Sequence, residues 1–473
     1  MGTDRGVVML RVLGLLTTAA LFATSGNNLD TNVEPIRASV AATFAEGEAG
    51  EAAAFDVAAL LAAARGAPPM ICALAAQSVR GYGWGDRSDA PVTPLNINAI
   101  LGDGDRGSQR LPNADVDRLL EALASDDACV RELSVRLVGR QDDERVGPAL
   151  ITKLSASDAT LRTVAAFGLG LAEPRAAEDP LVRALRDATP GVRANSAWAL
   201  GRMESGRALA PLIALFRDVE PMVREAAVAA TGRLDSSSAV AALTRVLQQD
   251  EVASVRRVAA WALGHLEADE AAPALASVLG RDSDARVREM SAWALGSIEH
   301  KNAVGALQTA LRGDADDAVR ETAAWALSRI EDAASATALG AAAERDRNSR
   351  VRGTAAWALG HLREGNRAPA GLLHVLKDES EDSRLKAAWA LGQIGDSTAL
   401  SAIRDALKVE QSQQVRRALV RALIKSGARS ESMLTELLSS KDPQVREAAV
   451  RGLAGHNSMN PWPWPWPRPR PFP

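Results

Sequence analysis

The amino-acid sequence predicts an all-α fold, specifically an α-solenoid of about eleven stacked helix pairs. The first observation is a motif, Val-Arg followed by small residues and Trp-Ala-Leu-Gly, which recurs about every 31 or 32 residues between Val130 and Val445. The second is that a short apolar segment and a loop precede each motif, which is typical of one two-helix unit per repeat. Because such units bury a core only against their neighbours, we expect one continuous array over residues 113–455.

Residues 1–25 have the pattern of a secretory signal peptide. Arg5 and Arg11 precede an apolar stretch, residues 12–23, and small residues at 23–25 fit a cleavage site. The apolar stretch is too short to span a bilayer comfortably. We therefore expect an exported protein, periplasmic or secreted, of a bacterial envelope. The alternatives are an uncleaved anchor and an incorrectly assigned start.

Residues 26–112 are expected to form a helical cap followed by a loop. Segments 51–65 and 68–80 read as two helices that cover the first exposed core face of the array. Residues 81–112 are rich in Gly, Asp and Pro and read as a loop. Asp103-Gly-Asp105 lacks the further acidic ligands of a calcium loop.

The two cysteines, Cys72 and Cys129, are too few for a disulfide framework and fit no metal motif. Their sequence positions leave two readings open. They form one bridge, or they are two small apolar residues in separate helices.

The repeated Val-Arg pair marks the second helix of each unit. The Arg stands at eleven positions: Arg131, Arg162, Arg193, Arg224, Arg256, Arg288, Arg320, Arg352, Arg384, Arg416 and Arg446. An Asp usually lies five residues before the Val, where it is expected to cap the following helix or to meet a neighbouring Arg. The repeated Arg is expected to form hydrogen bonds between repeats rather than to bind phosphate.

Within one second helix, Val319, Ala323, Ala326 and Leu327 fall on one face and are expected to be buried. A Gly follows most of the apolar runs. We expect it near the end of the helix, where Gly tolerates non-helical backbone.

The segments Trp261-Ala-Leu-Gly-His-Leu and Trp357-Ala-Leu-Gly-His-Leu resemble the short HEAT-like repeats of the phycobilisome-lyase type. The resemblance covers roughly residues 113–455. It implies an α-solenoid but says little about function, because such arrays serve scaffolds, enzymes and nucleic-acid proteins alike.

Enzyme functions of that repeat class are disfavoured. Deoxyhypusine hydroxylase, which is similar in its repeats, holds two irons with His-Glu pairs, and none of the five histidines here is followed by Glu. The lyase and DNA-glycosylase readings are disfavoured by the export signal, and a net charge of −4 also argues against nucleic acid. No catalytic or phosphate-loop motif is present. We therefore expect no cofactor, no metal and no nucleic-acid partner.

One position, five residues after the repeated Arg, carries Trp in six units. The helical wheel places these side chains about 140° from the core face, on the inner, concave surface. Polar residues follow one turn later, and an Arg there can stack on the indole. The candidate binding residues are Trp198, Trp261, Trp293, Trp325, Trp357, Trp389, Arg202, His265, Arg329, His361 and Gln393. The competing interpretation is that the indoles only pack on one another.

Residues 456–473 form a tail with Pro at every second position, which excludes a helix and favours an extended or disordered chain. The tail residues that are expected to contact a binding partner are Trp462, Trp464, Trp466, Arg468 and Arg470. Because aromatic grooves bind polyproline segments, the tail is expected to dock on the Trp row within one chain or between chains. A disordered tail without a partner and a tail that binds a membrane or another protein are the alternatives.

Together these features predict a non-catalytic scaffold that binds a protein or an extended peptide on its concave face, near the cell envelope. A membrane-associated partner fits this location. The alternative is a HEAT-like metal-dependent hydroxylase or bilin lyase.

Overall fold

A computed structural model describes residues 56–67, 111–362, 367–427, 435, 437–440 and 443–453. The chain divides into two compact units, residues 1–235 and 236–473. The described part of both units is helical and contains no strand, which confirms the predicted all-α fold. Among the described residues, no helix combines the length and the apolar character needed to cross a membrane.

The first unit contains nine described α-helices. Helix α1 precedes the repeats, and four helix pairs follow it. The helices are α1 (Val57–Ala64), α2 (Asn113–Ala122), α3 (Ala128–Val138), α4 (Val146–Lys153), α5 (Ala159–Ala172), α6 (Glu178–Ala184), α7 (Pro190–Arg202), α8 (Leu209–Ala214) and α9 (Pro221–Arg233).

The second unit continues the same alternation of a first and a second helix. Its described helices are α10 (Val240–Gln249), α11 (Ala253–His265), α12 (Ala272–Arg281), α13 (Ala285–Ile298), α14 (Val304–Gly313), α15 (Asp317–Ile330), α16 (Ala336–Arg345), α17 (Ser349–Leu362), α18 (Ala370–Val375), α19 (Glu381–Ile394), α20 (Leu400–Val409), α21 (Gln413–Lys425) and α22 (Pro443–Leu453). Each repeated Arg lies on a second helix, as predicted.

Helix α1 lies within the predicted segment 51–65. Its residues Val57, Leu60 and Ala64 are fully buried, and the helix packs against α2 and α3. It therefore covers the first repeat. Residues 68–110, which include the second predicted cap helix and most of the loop, lie outside the described residues.

Cys129, on α3, is disulfide-bonded. The only other cysteine of the sequence is Cys72, which lies outside the described residues. Of the two readings that the sequence left open, the structure supports the bridge.

The core of each repeat follows the helical periodicity. Val319, Ala323, Ala326 and Leu327 are all fully buried, as expected. The small alanine side chains allow neighbouring second helices to approach closely. Within the second unit, second helices pack against one another more extensively than first helices do, which is the arrangement on the inner side of a curved array.

Most of the repeated Arg residues link their own repeat to the next one. Arg288 donates from Nε and Nη2 to the two carboxylate oxygens of Asp314 at 2.8 and 2.9 Å, and from Nη1 to the carbonyl of Asp282 at 2.9 Å. The same two-bond pairing joins Arg162 to Asp187, Arg193 to Asp218, Arg256 to Asp282, Arg320 to Asp346 and Arg384 to Glu410. These Arg residues therefore connect repeats, and the repeated Asp meets the neighbouring Arg rather than capping a helix.

Burial raises the pKa of the Asp314 carboxyl, but hydrogen bonds from Arg288 and from the backbone of Asp316 outweigh burial and hold the pKa below its usual value. The pKa values of Asp187, Asp218 and Asp282 are lowered in the same way. A carboxyl with a lowered folded pKa stabilises the fold above its unfolded pKa of about 4 and loses that contribution as the pH falls. The stability that these Arg–Asp ion pairs contribute is therefore lost at acidic pH.

The repeated Gly lies near the end of the helix, as expected, but its backbone is helical. Gly264, Gly296 and Gly360 belong to the last turn of α11, α13 and α17. The left-handed residues come three positions later, at Glu267 (φ 48°) and Glu299 (φ 59°). These glycines allow neighbouring helices to approach each other closely.

Candidate binding face

The Trp position of the first unit forms a stack of rings and cations. Trp198 is 1% exposed and stacks on Phe167 with ring centroids 4.7 Å apart. The Arg136 guanidinium lies 5.5 Å from the Phe167 ring, and that of Arg202 lies 5.5 Å from the Trp198 ring. These rings lie in the interior and are not accessible to a ligand.

The Trp position of the second unit is also more buried than the helical wheel indicates. Trp261 and Trp357 are buried, whereas Trp293, Trp325 and Trp389 are half-buried. Trp293, Trp325 and Trp389 each lie against a glycine of the preceding repeat, which covers part of the ring. The six indoles therefore do not form an open aromatic groove, and three of them keep an accessible edge.

Three rings of the second unit each fit over a glycine of the preceding repeat. A Cβ atom on Gly264, Gly296 or Gly360 would lie 2.8 Å from Cζ3 of Trp293, Trp325 or Trp389, respectively. It would also lie 2.7–2.8 Å from Cα of the alanine that follows that Trp. The Trp-Ala-Leu-Gly motif is therefore a packing unit in which glycine provides the space and the next indole fills it. Sequence reasoning missed this function, although Trp and Gly recur at a constant separation.

Replacing Gly296 with Ala is expected to lower the free energy of unfolding by about 1–3 kcal/mol, because the added methyl group overlaps Ala326 and Trp325. Chemical denaturation monitored by circular dichroism measures the change. Gly305→Ala is the matched control, since nothing lies within 4 Å of its Cβ position on α14 and Ala stabilises a helix. Equal effects of the two substitutions would contradict the packing function.

The polar position, four residues after the Trp position, differs between the units. Arg202 donates to the Gly170 carbonyl at 2.9 Å and to Glu173 at 2.6 Å, so it connects repeats. Arg329 forms an ion pair with Glu299 and is half-exposed. The predicted cation–π contact of an Arg with the preceding Trp is present at Arg202.

Histidines occupy this position twice and contact the indoles. His265 stacks on Trp261 with centroids 5.2 Å apart. His361 lies between two rings, 4.1 Å from Trp357 and 5.1 Å from Trp389. Gln393 is half-buried at the equivalent position of the next repeat. The structure therefore brings the polar candidates next to the indoles in the same stripe.

An acidic cluster lies at the start of this stripe, one turn before the Trp position. Burial raises the pKa of Glu289, the carboxylates of Asp316 and Glu321 raise it further, and Arg350 and Arg257 partly oppose them. Glu321 is buried and accepts from Arg350 Nε at 3.0 Å and from the Thr354 hydroxyl at 3.2 Å. Within the described ranges, no group of three or more His, Cys, Asp or Glu residues is arranged to hold a metal ion.

Replacing Glu289 with Gln is expected to raise the thermal unfolding temperature at pH 7. An acid with a raised folded pKa stabilises the fold below its unfolded pKa of about 4.3, and that contribution is lost as the pH rises through the folded pKa. The gain from Gln should therefore disappear at acidic pH. Unfolding curves between neutral and acidic pH test this, with Glu344→Gln, whose side chain is 40% exposed, as the control, and a gain independent of pH would contradict it.

The tail residues Trp462, Trp464, Trp466, Arg468 and Arg470 lie outside the described residues, as does the segment 1–25. Their predicted functions stay predictions.

Comparison with known proteins concerns the repeats. A family model described as HEAT repeats matches residues 147–230, 209–295, 273–360 and 338–424. Among solved structures, the chain is similar to an engineered protein, at 20% identity and a TM-score of 0.37, over 72% of this chain and 98% of that one. It is also similar to human deoxyhypusine hydroxylase in complex with glycerol, at 24% identity and a TM-score of 0.25, over 53% and 96% of the two chains. No curated protein matched the sequence.

Proposed function

The chain belongs to the HEAT-repeat family, and on this premise we propose that it is a non-catalytic scaffold that binds a protein or an extended peptide along its second helices. The finer resemblance to repeats of the phycobilisome-lyase type is part of the proposal. It is supported by the short period and by the two Trp-Ala-Leu-Gly-His-Leu segments.

The proposal rests on three partly exposed indoles of the second unit. In the second unit, the accessible edges of Trp293, Trp325 and Trp389 recur at one position of the repeat, and hydrogen-bonding side chains such as Arg329 and Gln393 follow one turn later. Aromatic groups with adjacent polar groups are enriched where proteins bind one another. An extended ligand that crosses these repeats would meet a partly exposed indole at three of them, while Trp357 is buried.

The first test removes the indoles but keeps an apolar side chain at each position. A Trp293→Leu/Trp325→Leu variant and the full chain are used to capture partners from an envelope extract. The matched control carries Thr309→Leu/Arg312→Leu on the exposed surface of α14, with folding of all proteins checked by circular dichroism. We expect a partner that only the Trp variant loses. Equal capture by all proteins, or no capture at all, would show that the indoles only pack.

The tail forms a second arm of the same experiment. We propose that residues 457–473 dock on the second helices, because Trp and Pro alternate in the tail and aromatic surfaces bind such segments. Deletion of 457–473 should then change the protease sensitivity of the array. Identical cleavage of the array in the deletion variant and the full chain would reject tail docking and leave the scaffold proposal in place.

We also propose that the protein is exported to the periplasm or secreted. The pattern of residues 1–25 supports export, and so does the bonded state of Cys129, because disulfides persist in oxidising compartments. Cell fractionation followed by N-terminal sequencing tests this proposal. Recovery of the uncleaved chain with cytosolic proteins would contradict it.

A further inference from the structure

One glycine of the Trp-Ala-Leu-Gly motif differs from its equivalents. Gly264, Gly296 and Gly360 are buried beneath the indole of the next repeat, whereas Gly392 is partly exposed. A Cβ atom on Gly392 would meet only Ala422, at 3.5 Å or more, because no indole follows on α21. The space that an indole fills elsewhere is therefore open at Gly392, and we name it the Gly392 shelf.

The open space is not a general result of losing the indole. The repeat after Gly201 also lacks Trp, since Ala229 occupies the position. There the helices approach more closely, with Ala230 Cα 2.7 Å from the Cβ position of Gly201, and that glycine is buried. At Gly392 the nearest atom to the Cβ position is Ala422 Cα at 3.5 Å, so the two helices are further apart there than at Gly201.

Two cations lie beside the shelf. Arg421 occupies the Trp position of α21 and Lys425 the polar position, and both are exposed. Neither forms an ion pair with any described residue. On α19, half-buried Trp389 lies three residues before Gly392, and half-buried Gln393 directly follows it. The Cβ position of Gly395 lies 3.4 Å from the Lys425 carbonyl, which places these helix ends side by side.

The spacing of the cations matches an extended acidic peptide. Arg421 and Lys425 are four residues apart on one helix face, a rise of about 6 Å. Side chains on one face of an extended chain repeat about every 6.6 Å. Two carboxylates at alternate positions of such a chain can therefore meet both cations.

We propose that the Gly392 shelf binds an aromatic side chain of an extended peptide whose following alternate residues are acidic. This inference rests on the proposed scaffold function and names the chemistry of its ligand at one end of the second unit. The ring of the ligand fills the space above Gly392 as Trp389 fills the space above Gly360. The carboxylates then pair with Arg421 and Lys425.

The charges disfavour other occupants. Two cations are too few to hold a nucleic-acid duplex, whose binding rests on many phosphate contacts, and the chain is acidic overall. The tail of this chain offers Trp, but its Arg468 and Arg470 would place like charges against Arg421 and Lys425.

Fluorescence anisotropy with labelled synthetic peptides tests the proposal on the full chain. The probe is Trp-Ser-Glu-Ser-Glu, which presents the ring and both carboxylates on one face when extended. The comparison peptides are Trp-Ser-Gln-Ser-Gln and the tail sequence Pro-Trp-Pro-Trp-Pro-Arg-Pro-Arg. We expect the acidic probe to bind most tightly, with an affinity that falls as salt is added.

The decisive variant is Arg421→Trp, which restores the indole of the other repeats and fills the shelf. It should weaken binding of the acidic probe about 10-fold or more, since the ring of the ligand loses its buried site and one cation is removed. The unfolding temperature should not fall, because the new ring packs on Gly392 as in other repeats. Lys425→Gln should weaken binding by about 2- to 5-fold.

Arg312→Trp, on the exposed surface of α14, is the matched control and should leave the affinity unchanged. Equal binding by wild type and Arg421→Trp, or tighter binding of either comparison peptide, would overturn the inference. So would the absence of measurable binding of the acidic probe. If these results occur while Trp293→Leu/Trp325→Leu still loses its partner, the scaffold function stands and only the Gly392 shelf is rejected.

Discussion

Replacing Arg320 with Ala is expected to lower the free energy of unfolding by about 3–5 kcal/mol, the usual cost of breaking a buried ion pair by removing one partner. Arg320 is 4% exposed and donates to both oxygens of Asp346, at 2.7 and 3.0 Å, and to the Asp314 carbonyl at 2.9 Å. The substitution leaves a buried carboxylate and a carbonyl without these bonds. Chemical denaturation measures the loss.

Two controls separate this effect from a general loss of charge. Arg345→Ala removes an exposed Arg whose ion pair with Glu344 is open to solvent, and it should cost less than about 1 kcal/mol. Arg320→Ala/Asp346→Ala should be less destabilising than the sum of its two single substitutions, because neither charge is then left alone. Additive effects, or equal costs for Arg320→Ala and Arg345→Ala, would show that the pair does not connect the repeats.

Replacing Trp198 with Ala is expected to cost about 3–5 kcal/mol, because it leaves a large cavity in the first unit. The ring packs on Phe167, on Gly170 and beneath the Arg202 guanidinium, and almost none of it is exposed. Hydrogen exchange should show faster exchange first in α5 and α7, which the ring holds together.

Trp198→Phe is the matched control for that substitution. It keeps a ring on Phe167 and removes an indole N–H that is buried without a hydrogen-bond partner in the described structure, so we expect a much smaller loss. Trp325→Ala, at the equivalent position of the second unit, should fall between the two because that indole is half-buried. Equal costs for Trp198→Ala and Trp325→Ala would mean that burial does not decide the function of this position.

Much of the candidate face could be located from the sequence, but its accessibility could not. The helical wheel placed Trp293, Trp325 and Trp389 in one row with their polar neighbours, and the structure leaves these three indoles half-buried. It did not predict that Trp261 and Trp357 are buried. A wheel describes the directions of side chains around one helix, whereas exposure depends on how closely the next helix approaches.

The Arg–Asp ion pairs between repeats also could be predicted only in part from the sequence. The sequence has an Arg at one position of all eleven units and, in most units, an Asp five residues before the Val, but it left that Asp with two possible functions. The structure pairs Arg288 with Asp314 of the following repeat, 26 residues later. Capping was the local alternative, and Asp284 and Asp316, two residues after the repeated Asp, perform it instead.

The sequence by itself determined the all-α class, the position of the second helices and the family, because the period of the repeat and the apolar pattern within it follow directly from helix geometry. Only the tertiary structure decided which side chains are available to a ligand. The separation of neighbouring helices is set by small residues that meet across repeats, such as Gly296 and Ala326, and this contact buries some indoles while Gly392 is left open. That separation depends on two surfaces at once, and no periodicity within a single helix specifies it.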